Sequence, residues 1–137
     1  MGWPGCAPAV GEKRSPRVLV IEDDIELCKV LRTLLEQSGF RVDVAYDGET
    51  GLALLRKNHP AVAMIDIVLP RLNGLEIIAE IIRMVPEERP KILVLTGVAS
   101  DSGITDQQWC EKLNVDAYIS KPADPKHIVE VVNQLLA

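Results

Sequence analysis

Five polar side chains in this sequence each follow a short apolar segment, and together they could bind a metal ion. They are Glu22, Asp23, Asp66, Thr96 and Lys121. Carboxylates that are brought close together raise one another's pKa unless a cation joins them. Three acids, a hydroxyl and an ammonium in one place therefore favour the binding of a divalent metal ion. Because the candidate ligands are oxygen atoms, Mg²⁺ or Mn²⁺ is expected.

The segments that carry these residues are predicted to be strands of one parallel sheet. Apolar or alternating runs indicate five strands, at residues 17–21, 41–45, 61–65, 91–96 and 116–120. Segments with helical spacing separate them, and this alternation favours an α/β fold with helices on both faces of the sheet. Ligands of such sheets bind beyond the carboxyl ends of the strands. The five polar residues should therefore meet there.

Amphipathic segments predict a helix after each strand, and three of these helices carry a specific prediction about their packing or start. The third is expected to bury one apolar stripe and to end before Pro86; the stripe consists of Leu75, Ile78, Ile81 and Ile82. In the short fourth helix, Trp109 is expected to be the buried anchor. Asp124 followed by Pro125 predicts the start of the fifth helix.

The composition describes one globular domain and argues against several classes of partner. The chain has 137 residues, of which 47% are hydrophobic and 26% charged, and its formal net charge is -5. Because no run of Lys and Arg stands out, neither nucleic acid nor an anionic membrane is expected to bind this domain directly. Residues 1–16, rich in Gly and Pro, are predicted to be a flexible leader or extension before a domain at residues 17–137.

The cysteines indicate a reducing compartment. Cys6, Cys28 and Cys110 are odd in number and scattered, with no Cys-x-x-Cys pair. The two histidines, His59 and His127, lie far apart in the sequence. This pattern favours free thiols in a cytoplasmic protein and argues against a zinc site.

Four segments, in this order, carry a resemblance to a known family. They are VLVIEDD, MIDIVLPRLNG, LVLTG and AYISKP. Over residues 17–137 the chain resembles the receiver domain of two-component response regulators. The resemblance implies a flavodoxin-like (βα)5 fold, a doubly wound five-stranded parallel sheet with strand order 2-1-3-4-5. It also implies a signalling switch rather than a turnover enzyme, one that catalyses only its own phosphorylation and slow dephosphorylation.

The resemblance assigns a role to each residue of the predicted site. Asp66 would be the phosphoacceptor, which receives a phosphoryl group from the phosphohistidine of a sensor histidine kinase or a histidine phosphotransfer protein. Asp23, Asp66 and the backbone carbonyl of Val68 would bind Mg²⁺ directly, and Glu22 would act through a water molecule. Lys121 and the metal would neutralise charge on the transferring phosphoryl group.

The resemblance also implies a conformational switch. Thr96 would donate its hydroxyl to the phosphoryl group, Gly97 would donate its backbone N–H, and the side chain of Tyr118 would follow the motion of Thr96. The surface formed by the fourth helix, fifth strand and fifth helix would change for an output domain or partner protein, and a phosphorylation-dependent homodimer is allowed. The Lys121–Pro122 bond is expected to be cis.

Several positions depart from the family's common pattern. Gly97 stands where alanine is usual, and Ala123 stands where a bulky residue often follows Lys-Pro. Val68 and Val98 occupy the two positions that tune the lifetime of the phosphoryl group. Neither side chain can orient an attacking water, so slow self-dephosphorylation is predicted.

Two other classes of function stay open on the sequence alone. A degenerate receiver could serve as a phosphorylation-independent docking module, although the intact Asp23, Asp66, Thr96 and Lys121 argue against it. An enzyme on a similar sheet has less support. A flavodoxin would need a loop rich in Ser, Thr and Gly where EDD stands, and an aspartate-based phosphatase would need a second acid where Val68 stands.

Overall fold

The computed structural model describes residues 15–97 and 103–137, and within them five strands form a single parallel sheet. The strands are β1 (Arg17–Ile21), β2 (Arg41–Ala45), β3 (Val62–Ile65), β4 (Lys91–Thr96) and β5 (Ala117–Ser120). Their order is β2-β1-β3-β4-β5, and every neighbouring pair is parallel. The predicted fold class and strand order are therefore confirmed. Residues 1–14 of the predicted leader and Val98 lie outside the described part of the chain.

A helix follows each strand, and a side chain caps the start of every one. The helices are α1 (Ile25–Gln37), α2 (Gly48–Asn58), α3 (Gly74–Arg83), α4 (Asp106–Leu113) and α5 (Pro125–Leu135). A side-chain oxygen just before each helix accepts an N–H of the first turn; the capping residues are Asp24, Asp47, Asn73, Thr105 and Asp124. The predicted start at Asp124 is confirmed. Each described helix is too short or too polar to cross a lipid bilayer.

Two apolar cores lie on opposite faces of the sheet. Along β1, Val18 and Val20 belong to one core, and Leu19 and Ile21 belong to the other, because successive side chains of a strand point to opposite faces. The first core is completed by α1 and α5, and the second by α2, α3 and part of α4. β3 is buried along its whole length. A carboxylate that directly follows β3 is therefore attached to a part of the chain that is shielded from water.

The predicted apolar stripe of α3 is wrong in detail. The buried residues are Ile77, Ile78 and Ile81, whereas Leu75 is 46% exposed and Ile82 is 36% exposed. Because a helix turns by about 100° per residue, the three buried isoleucines centre on one face and the other two residues fall at its borders. The helix ends at Arg83, before Pro86 as predicted, and a short 3-10 turn at Pro86–Glu88 follows.

The prediction that Trp109 is a buried anchor is also only partly right. Trp109 is half-buried, and its ring stacks on that of Tyr118 with a centroid distance of 6.1 Å and an interplanar angle of 16°. No residue of α4 is fully buried. The reason is that α4 contacts β5, which is an edge strand and has a neighbouring strand on one side only.

Gly74, at the start of α3, lies where a larger residue cannot fit. A Cβ atom there would lie 2.2 Å from the carbonyl oxygen of Asp66 and 2.7 Å from the Cα of Ile67. We expect Gly74→Ala to lower the free energy of unfolding by about 2 to 3 kcal/mol, because the backbone that carries Asp66 must shift. Urea denaturation would measure the loss. Leu75→Ala, at an exposed neighbouring position, should cost less than about 1 kcal/mol, and equal losses would contradict the steric explanation.

Candidate functional site

The structure brings the predicted polar residues together at the carboxyl ends of four strands. Glu22 and Asp23 follow β1, and Asp66 follows β3, the neighbouring strand. One carboxylate oxygen from each of these three residues lies within 4.8 Å of the others. Thr96 is the last residue of β4, and Lys121 is the first residue after β5. All four strand ends therefore contribute to one site.

Both carboxylate oxygens of Asp66 are held by hydrogen bonds. Oδ1 accepts the backbone N–H of Val68 at 3.1 Å, and Oδ2 accepts a bond from the Lys121 ammonium at 3.0 Å. The backbone N–H of Asp66 donates to the carbonyl of Ile21 at 3.1 Å, which fixes this residue to the end of β1. Asp66 is only 5% exposed. Its side chain is therefore fixed in orientation, with an ammonium on one oxygen.

Glu22 is the most deeply buried acid of the site. Its Oε2 accepts the backbone N–H of Asp24 at 3.1 Å, and its Oε1 lies 2.6 Å from the Lys121 Nζ as an ion pair. Burial raises the pKa of Glu22, and the Lys121 ammonium together with the Asp24 N–H offsets only part of that effect. The ionised form of this carboxylate is therefore incompletely compensated by the protein's own groups.

Lys121 is the cation that joins the two buried acids. Burial on its own would lower the pKa of Lys121, but the hydrogen bonds and negative charges of Glu22 and Asp66 outweigh it and raise that pKa. The backbone N–H of Lys121 donates to the carbonyl of Thr96 at 2.9 Å. The Lys121–Pro122 peptide bond is cis, which is the isomer that the resemblance implies. The lysine is therefore charged at neutral pH and anchored by its backbone to β4.

The loop between β3 and α3 is packed closely against the start of α2. The backbone N–H of Gly48 donates to the carbonyl of Pro70 at 3.2 Å, and a Cβ on Gly48 would overlap the carbonyl of Leu72. The side chains of Arg71 and Glu49 form an ion pair at 2.6 Å. These contacts restrain the loop whose Val68 was predicted to offer a backbone carbonyl to a metal.

The predicted switch residues are both buried. Thr96 is 1% exposed, and Tyr118 is 6% exposed and stacked on Trp109. Gly97 follows Thr96, and the nearest atom to a Cβ placed on it would be the Cβ of Lys121, at 3.9 Å. Gly97 thus lies beside Lys121, the residue that carries the ammonium.

Sequence reasoning missed a pair of polar residues next to the site. The hydroxyl of Ser120 donates to Asp106 Oδ1 at 2.5 Å, and its backbone N–H donates to Asp106 Oδ2 at 3.1 Å. The available signal was the position of Ser120, directly before Lys121. The partner could not be found in this way because Asp106 lies on another element.

Cys28 lies beneath the site, and its environment argues against a reactive role. Its thiol donates to the carbonyl of Glu22 at 3.3 Å. Burial, followed by the negative charge of Glu22, raises the pKa of Cys28 to about 12. The thiol is therefore protonated at neutral pH and acts as a small packing group.

A family model described as the response regulator receiver domain matches residues 18–133. The chain belongs to the response regulator receiver domain family. This match covers the five strands except for the first residue of β1, together with nearly all of α5, and so includes every residue of the site described above.

Relatives of this receiver domain include both short and long proteins. Protein PilH of Pseudomonas aeruginosa is 28% identical over 121 residues, which cover 88% of this chain and 98% of PilH. The probable transcriptional regulator ycf27 of Cyanophora paradoxa is 29% identical over 125 residues, which cover 91% of this chain but 50% of that regulator. The chain thus spans about half the length of this regulator. The solved receiver domain of Francisella response regulator 1452 has a TM-score of 0.76 and 26% identity, with coverage of 88% of this chain and 96% of that one.

The acids of this receiver domain fit a hard divalent cation. The side chains of Glu22, Asp23 and Asp66 offer only oxygen ligands, which suit Mg²⁺. Glu22 Oε1 is buried, and the Lys121 ammonium lies 2.6 Å from it. Burial raises the pKa of Glu22 despite this ion pair, so a further positive charge beside the carboxylate would favour its ionised form. These three residues could therefore hold a divalent metal ion.

Replacing Lys121 by a neutral side chain tests the charge balance. We expect Lys121→Met to lower the free energy of unfolding of the metal-free protein by about 2 to 3 kcal/mol, because it leaves Glu22 and Asp66 without their cation. Because the ammonium of Lys121 and a metal ion would neutralise the same carboxylates, the variant should bind Mg²⁺ about 3- to 10-fold more tightly. Urea denaturation in a chelator and calorimetric Mg²⁺ titration would measure the two effects.

The control for this substitution is Lys112→Met, at an exposed lysine in the last turn of α4. Both quantities should stay close to those of the unaltered protein. Weaker Mg²⁺ binding by Lys121→Met than by the control would contradict the competition between the two cations.

Proposed function

We propose that this receiver domain is a phosphoacceptor switch, in which Asp66 takes a phosphoryl group from the phosphohistidine of a sensor histidine kinase or a histidine phosphotransfer protein. The observation that supports this most directly is the arrangement around Asp66. Its carboxylate lies at the end of a buried strand, one oxygen bonds to the Lys121 ammonium, and two further acids lie within 4.8 Å.

The transfer forms one bond and breaks one. A carboxylate oxygen of Asp66 attacks phosphorus, the new O–P bond forms, and the N–P bond to the donor imidazole breaks with its electron pair left on nitrogen. Charge spreads over the phosphoryl oxygens as this happens. Lys121, already 3.0 Å from Asp66 Oδ2, neutralises part of that charge without having to reorganise.

Asp23, Asp66 and the backbone carbonyl of Val68 would hold the metal, with Glu22 acting through a water molecule. When bound, Mg²⁺ or Mn²⁺ would supply a second positive charge to the acids and the phosphoryl oxygens. The buried, incompletely compensated carboxylate of Glu22 supports the need for such a charge. Asp23 is exposed, so its side chain can reach an ion that enters from solvent.

The product would be read out through Thr96 and Tyr118. The hydroxyl of Thr96 and the backbone N–H of Gly97 would donate to phosphoryl oxygens, and Tyr118 would follow. The stack of Tyr118 on Trp109 supports a link from this site to α4. The surface of α4, β5 and α5 would then control an output domain or a partner protein, in keeping with relatives that carry the name of transcriptional regulator. The transfer would take place in the cytoplasm.

Incubation with acetyl phosphate and Mg²⁺, followed by intact mass measurement, tests the proposal. The protein should gain one phosphoryl group, and Asp66→Asn should gain none because the amide oxygen is a far poorer nucleophile. The matched control is Asp24→Asn, an exposed cap of α1 whose amide can still cap the helix. If the unaltered protein gains no phosphoryl group in Mg²⁺, the phosphorylation-independent docking function is favoured instead.

The phosphorylated form is predicted to be long-lived. The side chain of Val68 is 60% exposed next to Asp66 and has no group that can orient a water molecule. We expect the half-life in Mg²⁺ to be minutes or longer, and Val68→Asn to shorten it about 3- to 10-fold by positioning the water. Intact mass, followed after removal of the donor, would report both. Val85→Asn changes another exposed valine and should have no effect, while a half-life of seconds in the unaltered protein would refute the prediction.

A further inference from the structure

The carboxylate of Asp106 joins α4 to the end of β5. Both of its oxygens accept hydrogen bonds from one residue, Ser120: one from the hydroxyl at 2.5 Å and one from the backbone N–H at 3.1 Å. Capping of α4 does not need this side chain. Thr105 is the N-cap, and its side chain and that of Gln108 form a reciprocal capping box. The side chain of Asp106 thus bonds to β5 and takes no part in capping its own helix.

A second contact also joins α4 to β5. Trp109, three residues after Asp106, stacks on Tyr118, two residues before Ser120. Residues three apart share a face of a helix and residues two apart share a face of a strand, so the two contacts form one seam between α4 and β5. Because α4 has no fully buried residue, this seam adds to the partly buried packing of Cys110 and Leu113 in holding the helix in place.

The other end of the seam leads directly to the proposed acceptor site. Ser120 is followed by Lys121, whose backbone N–H donates to the carbonyl of Thr96 at 2.9 Å. The Lys121 ammonium lies 3.0 Å from Asp66 Oδ2 and 2.6 Å from Glu22 Oε1. Ser120 is therefore held by α4, and the next residue, Lys121, is held by the two buried acids.

We propose that Asp106 is a positioning residue that couples α4 to the acceptor site through Ser120 and Lys121. A displacement of α4 must either break the bonds between Asp106 and Ser120 or move the backbone of Lys121. Coupling of this kind is reciprocal, so a change in the partners of the Lys121 ammonium must alter the stability of α4 by the same free energy. The role in phosphoryl signalling rests on the proposed function, whereas the coupling itself does not.

A ligand-free double-mutant cycle tests the coupling. Amide hydrogen exchange of residues 106–113 would be measured in the unaltered protein, Lys121→Met, Asp106→Ala and the double variant, with exchange in α1 as the internal reference for global stability. Lys121→Met should raise α4 exchange, relative to α1, about 5- to 10-fold in the unaltered background, and less than about 2-fold when Asp106→Ala is present. Equal effects in both backgrounds would overturn the proposal.

Further variants separate positioning from simple structural support. Ser120→Ala should behave as Asp106→Ala does in the cycle, because it removes the shorter bond, and Ser120→Thr should restore the coupling because it keeps the hydroxyl. Gln107→Ala, at the next and exposed position of α4, should leave the coupling intact. If Asp106→Ala does not fold, Ser120→Ala takes its place in the cycle, since it removes the hydroxyl bond from the other side. Failure of Ser120→Thr to restore the coupling would count against the hydroxyl bond as its carrier.

The same variants connect the coupling to the phosphoryl group. In the presence of Mg²⁺, beryllofluoride, a phosphoryl mimic, should change α4 exchange in the unaltered protein, and this response should fall to less than about a third in Asp106→Ala and Ser120→Ala. A full response in both variants would overturn a role for this seam in signalling. A lack of response and of phosphate uptake in the unaltered protein would instead contradict the proposed function, and the ligand-free cycle would still decide on the coupling.

Discussion

The contact of one ammonium with two buried carboxylates is the interaction on which the site depends. The Nζ of Lys121 lies between Glu22 and Asp66, and it arrives from a strand that is two positions away from β3 in the sheet. Two buried acids without a cation would each lose hydration without compensation, a cost of several kcal/mol per charge. The sheet order is therefore part of the electrostatics, since it determines which strand ends can share a charge.

The pKa values of both Lys121 and Glu22 are raised, for different physical reasons. Lysine has two carboxylates, so pairing outweighs burial and raises its pKa; Glu22 shares one ammonium with Asp66, so burial wins and its pKa also rises. Three carboxylates, those of Glu22, Asp23 and Asp66, lie close together with the single ammonium of Lys121, so the cluster holds more negative charge than its own cation can balance. A divalent cation, or a proton, corrects this excess. Any affinity of this site for Mg²⁺ would thus come from the folded protein, whose burial of the acids makes the metal-free cluster unfavourable.

The sequence predicted the parts of this structure that depend on periodicity and on chain position. The parallel sheet, the convergence of Glu22, Asp66 and Lys121, and the start of α5 followed from apolar runs, from the polar residues after them and from local capping patterns. The strand order came from the resemblance to receiver domains. The α3 stripe could not be placed to the residue, because Leu75 and Ile82 border the buried face and only the neighbouring helix decides what it covers. The bonds from Ser120 to Asp106 and the stack of Trp109 on Tyr118 were missed for another reason. Each contact joins a helix to a strand, and the local sequence of one element does not indicate which residue of the other it will contact.

One helix, α4, differs from the other four in how it is held. Buried aliphatic side chains hold α1, α2, α3 and α5 against the two cores, whereas α4 has no fully buried residue. It is held by partly buried packing, by the stack of Trp109 on Tyr118 and by the bonds of Asp106 to Ser120. Asp106 is exposed, so its two bonds contribute roughly 1 to 2 kcal/mol each, and a stacked aromatic pair adds about 0.5 to 1.5 kcal/mol. A shift of a two-state equilibrium from 1:99 to 99:1 requires roughly 5.5 kcal/mol. The contacts between α4 and β5 are therefore of the same order as the free energy that shifts a two-state equilibrium, whereas α1 and α5 are in addition held by buried aliphatic side chains.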